Sequence, residues 1–114
     1  TVSAGDGSKD HEKVFESTIV SCRSFKTKIT KVISYELPGP RINPFEPNIY
    51  EDITSEIIFK NKAFSKYDSE IEKYPHPRSR ESIESMAKYR GTQAGVNYAE
   101  SFQLIYEINS KKKL

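Results

Sequence analysis

Residues 79–109 read SRESIESMAKYRGTQAGVNYAESFQLIYEIN, and the fold turns on this stretch. Its first half carries the marks of a helix. Ser79 is a suitable N-cap, because a serine oxygen can accept from the unpaired amides of a first turn. Glu81 and Glu84 put negative charge where the helix dipole favours it. Ile83, Met86, Ala87 and Arg90 recur at the spacing of one helical stripe. Lys88 and Arg90 fall in the last turn, and Gly91 follows as a C′ residue, where positive φ is expected. The spacing predicts a helix over 79–90.

After Gly95 the period changes to two. Val96, Tyr98, Phe102, Leu104, Tyr106 and Ile108 share one parity, interrupted by Glu100. That alternation predicts a strand over 96–108, with Leu104 buried and Gln103 exposed. A single helix running through both glycines is the rival reading. Each interior glycine would cost it about 1 kcal/mol, and the aromatic and β-branched content beyond Val96 favours a strand.

Outward from this stretch, Phe25 to Leu37 also alternates, with Phe25, Thr27, Ile29, Ile33, Tyr35 and Leu37 on one face. A shorter alternating run covers Lys13 to Cys22, and a hairpin is the economical way to join the two. The pair Ile57-Ile58 with Phe59 suggests a short strand near Ser55 to Lys60. Residues 1–12 are small and polar and are expected to form a flexible N-terminal tail; 110–114 are expected to form a basic C-terminal tail. The expected fold is therefore α+β: one domain over 13–109, an antiparallel sheet of about four strands, and the 79–90 helix on one face.

Composition narrows the function classes. The 114 residues are 35% hydrophobic and 30% charged, with a net charge of +2. Such a chain can build a modest core under a mixed surface, and the charge alone does not imply nucleic acid. The one cysteine, Cys22, rules out an internal disulfide. No apolar run approaches the ~18 residues of a membrane span. The expectation is an intracellular, cytoplasmic protein, although a removed targeting peptide is compatible with a chain that starts at Thr1.

Catalytic chemistry has little to stand on. The two histidines, His11 and His76, and Cys22 have no metal-ligand spacing, so neither a metal nor a cofactor is expected. Cys22 lacks the frame of an activated nucleophile, and Gly91 and Gly95 follow a helix rather than precede one, the wrong order for a phosphate loop. No catalytic residue is expected, and the chain is expected not to be an enzyme.

Two binding surfaces remain. The segment 38–53 carries four prolines in its first ten residues, which exclude helix and central strand. Within it, Asn43-Pro44-Phe45 resembles the short motif bound by EH domains. Tyr50-Glu51-Asp52-Ile53 resembles both a tyrosine-based sorting signal and a phosphotyrosine ligand of SH2 domains. These likenesses imply a protein partner reached through Asn43, Pro44, Phe45, Ile49, Tyr50 and Ile53. Such a partner requires Phe45 at the surface; a buried Phe45 would instead make the loop a lid on the core. The alternative is a single-stranded nucleic-acid surface. It would use Arg23, Lys26, Lys28 and Lys31 beside Phe25 and Tyr35, and Arg78, Arg80, Lys88 and Arg90 around the last helix. The expectation is a small accessory domain that contacts another protein, with nucleic acid as the alternative.

Overall fold

The structure is a computed structural model that describes residues 1–23, 25 and 27–110. Among the described residues the elements are α1 (Lys9–Ser21), β1 (Lys31–Tyr35), β2 (Ile49–Asp52), α2 (Ile57–Ser65), α3 (Arg80–Ala94) and β3 (Ala99–Glu107). The α+β class holds, with three strands rather than about four, in the order β1-β3-β2. β1 runs antiparallel to β3, with Ser34 opposite Gln103 and Tyr35 opposite Phe102, and the register shifts between Val32 and Ile33. The amides of Asn48 and Ile53, flanking β2, donate to the carbonyls of Phe102 and Tyr98, again in the antiparallel sense.

The chain forms two compact units. The first comprises Thr1–Leu37, Arg41–Ile49 and the chain from Phe102. The second comprises Pro38–Pro40 and Tyr50–Ser101.

In the first unit the run from Lys13 to Cys22 is helix, not strand. Ser8 caps it by accepting from the His11 amide at 3.3 Å, and Asp10 and Glu12 lie in its first turn. Capping and the acidic first turn favour the helix, and its half-buried residues His11, Phe15, Thr18 and Ile19 fall on one helical face, although none is fully buried. Cys22, just past its end, is buried, and the Tyr106 hydroxyl donates to the Cys22 carbonyl. The expected strand over 25–37 shortens to β1. Residues 1–12, expected as a tail, are built into this unit. Val2 is buried and bridges Tyr35, and the Thr1 nitrogen donates to the Ile33 carbonyl at 2.9 Å. Val2, Cys22, Val32 and Phe45 are the buried apolar residues of this unit.

In the second unit, Ile53, Ile57 and Ala87 form the core, with Tyr98 packed against it. The strand expected near Ser55 to Lys60 is α2 instead. Of the three adjacent apolar residues that suggested a strand, only Ile57 is buried, as one face of a helix allows. α3 starts where expected, with Ser79 as N-cap accepting from the Ser82 amide at 3.1 Å. It ends four residues later than expected. Gly91 is helical and buried, and the positive φ belongs to the C-cap Gly95, at +75°. Gly91 is required for a different reason. A Cβ there would sit 2.6 Å from the Val96 carbonyl oxygen and 2.7 Å from that of Asn97, where the chain folds back over the helix. The final strand begins at Ala99, and both Leu104 and Gln103 are half-buried rather than split between core and solvent.

Candidate interaction surface

The proline-rich loop does not present the side chains expected of it. Arg41 organises its first half. Its guanidinium donates to the Asn43 carbonyl at 2.8 Å, the Ala4 carbonyl at 2.6 Å and the Ser3 hydroxyl at 3.3 Å, and lies 5.6 Å from the Phe45 ring centroid. The amides of Ile42 and Asn43 both donate to the Gly5 carbonyl. Phe45 is turned inward and is only 8% exposed, so the Asn43-Pro44-Phe45 motif offers its asparagine and proline but conceals its phenylalanine. A buried Phe45 is what the lid reading expects and not what a contact anchor requires.

The second motif is no freer. Ile49 and Tyr50 lie in β2 and are half-buried, and the Tyr50 hydroxyl donates to Gln93 Oε1 at 3.2 Å. Ile53 is core. A backbone in a ladder and a hydroxyl already engaged do not make the extended, accessible peptide that sorting receptors and SH2 domains take.

The basic residues fall into separate sets. Arg23, Lys28 and Lys31 are exposed in the first unit, with Lys31 opposite Glu107 in the ladder; Lys26 lies outside the described residues. In the second unit Arg78 is held by Glu70 at 3.3 Å and Glu72 at 3.7 Å. Arg90 lies over the Tyr89 ring and donates to Gln93. Arg80 and Lys88 are exposed. His76 serves the turn before α3: its ring accepts from the Arg78 amide, and its carbonyl accepts from Ser79 and Ser82.

A polar pair lies at the start of α1, where His11 Nδ1 meets Asp6 Oδ2 at 2.5 Å. That bond, the Ser8 amide donating at 3.0 Å and the nearby Arg41 charge hold the Asp6 carboxyl below its usual range, against partial burial. Ser8 Oγ accepts from the His11 amide, so these groups together form an elaborated helix cap.

The surface that sequence reasoning missed is the outer face of α2. Ile58 and Phe59 stand 63% and 68% exposed there, followed by exposed Lys62, Ala63, Lys66 and Tyr67. Two signals could have revealed it. Three consecutive large apolar residues cannot all face one side of a helix, and residues 57–67 contain no aspartate or glutamate. In the same unit, Pro38, Pro40, Pro75, Pro77, Tyr74 and Met86 line a shallow groove of ≈ 520 Å³. Among the described residues no helix is long and apolar enough to cross a membrane.

No protein-family model, curated protein or solved structure matches the chain.

Proposed function

We propose that this protein is a non-enzymatic accessory domain that acts by contacting another protein through the outer face of α2. One observation carries the reading. Ile58 and Phe59 are adjacent, large and mostly exposed on a helix whose inward anchor, Ile57, is already buried. Scattered exposed hydrophobics are ordinary on any surface, whereas two together on a regular element form a compact patch. Covering such side chains is worth about 1.5–3 kcal/mol each when burial is complete, enough to anchor an interface.

Site-directed photo-crosslinking tests this. A photoreactive phenylalanine analogue at Phe59 is expected to give a discrete, nuclease-resistant protein adduct in native extract. The same analogue at Val14, an exposed residue of α1, is expected to give none. Absence of an adduct at Phe59, or the same adducts at both sites, would overturn the proposal.

A further inference from the structure

We infer that the outer face of α2 receives an acidic amphipathic helix of a partner protein, an inference that rests on α2 being the contact surface. Charge is the first argument. Lys60, Lys62 and Lys66 all belong to this acid-free segment. Lys60 is committed to Glu100 at 2.9 Å. Among the described residues, neither Lys62 nor Lys66 makes an ion pair. Two uncommitted cations beside an apolar patch are complementary to carboxylates flanking an apolar stripe.

Shape is the second argument. Phe59, Ala63 and Tyr67 recur every four residues. The turn continues past the helix end, with the Lys66 and Tyr67 amides donating to the Ala63 and Phe64 carbonyls. At a 1.5 Å rise per residue, two rings about 12 Å apart flank a single methyl group. Large, small, large along one ridge leaves a seat for one aliphatic side chain from a crossing helix. Ile58 and Lys62 form the adjoining ridge, placing a cation along its flank.

The surroundings argue against other anionic occupants. A continuous phosphate track needs a run of cations, whereas this patch offers two uncommitted lysines, and Glu70 and Glu72 beyond it already hold Arg78. Exposed Glu56 and Asp68 bracket the patch, and a lipid surface would have to desolvate both.

The test uses the full chain and a fluorescent synthetic helix of leucine and glutamate, read by anisotropy, beside its charge-inverted twin of leucine and lysine. The acidic helix is expected to bind and its twin not. Lys62→Glu with Lys66→Glu should weaken the acidic helix by about tenfold or more and admit the basic one. Phe59→Ser should abolish binding with the melting temperature unchanged. Equal binding of both helices, or indifference to the lysine reversal, overturns the inference. Binding of oligothymidylate or phosphatidylserine vesicles, but not the acidic helix, overturns it in favour of that anion. If the Phe59 crosslink survives the lysine reversal, the acidic-partner inference fails while α2 stands as the contact surface. If no crosslink forms at Phe59, the broader reading fails.

Discussion

Ser34 and Ser79 are both fully buried, yet they should respond to alanine in opposite senses. Ser79 Oγ accepts from the Ser82 amide and donates to the Ser82 hydroxyl at 2.8 Å. Ser79→Ala therefore removes a helix cap and should cost about 1 kcal/mol or more. Ser34 Oγ has no hydrogen-bond partner among the described residues. Ser34→Ala removes a desolvated, unpaired hydroxyl and should raise stability by an amount on the order of 1 kcal/mol. Paired thermal melts check both signs at once. The two glycines near the end of α3 form a second pair. Gly91→Ala drives a methyl into the backbone carbonyls of Val96 and Asn97 and should cost about 1–3 kcal/mol, despite the better helix propensity of alanine. Gly95→Ala meets open space and should cost only the penalty of its left-handed backbone, about 1 kcal/mol. A Gly91→Ala variant as stable as the wild type would mean that the chain does not fold back so tightly over α3.

Among the elements, α2 gives the sharpest contrast, because neighbouring residues of one short helix have opposite roles. Ile57→Ala empties a core position and should cost about 2–5 kcal/mol. Ile58→Ser with Phe59→Ser should leave the denaturant midpoint nearly unchanged, since both side chains already face water. At the start of α1, the depressed Asp6 pKa gives a pH signature. A carboxylate held below its unfolded value stabilises the fold above that value, and the contribution is lost as pH falls through the folded one. The difference in melting temperature between wild type and Asp6→Asn should thus be full at neutral pH and fade as pH falls below the ordinary aspartate value of 3.8. A difference that instead grew as pH fell below 3.8 would contradict the depressed pKa.

The same elements show what the sequence could and could not reveal. α3 and β3 were legible because cap, acidic first turn and two-residue alternation are local signals, and Ser79, Glu81 and the 99–107 run carry them plainly. α1 and α2 were not. α2 buries only Ile57, and α1 half-buries Phe15 and Ile19 on one face while Val14 and Val20 face solvent, so the apolar residues of each are too few and too scattered to declare a helix in the sequence. The β-branched residues Thr18, Ile19 and Val20, and Ile57-Ile58, then imitate strands. The end of α3 was misplaced because a close backbone approach, invisible in sequence, requires Gly91. Phe45 was legible as a decisive residue but not as a buried one. Its direction depends on Arg41 reaching Ser3 and Ala4, nearly forty positions earlier in the chain.

Taken as a whole molecule, the chain divides the described basic residues weighed for nucleic acid between its two compact units, so that each unit by itself carries few. Arg23, Lys28 and Lys31 belong to one unit, Arg80 and Lys88 to the other, and Arg78 is already shared by two glutamates. Each such set can neutralise only a few phosphates, so single-stranded nucleic acid should bind weakly and be released near physiological ionic strength, about 150 mM. Filter binding across a salt series measures this. A complex that stays tight at that ionic strength would restore nucleic acid as the principal ligand.

The concealed Phe45 has one more consequence. An EH domain that recognises Asn43-Pro44-Phe45 could engage it only when the loop has opened, so the binder selects the non-native population. By mass action such a ligand would lower the apparent stability of the protein, more so as its concentration rises. Access to the Phe45 ring is thereby tied to release of the Arg41 contacts with Ser3 and Ala4.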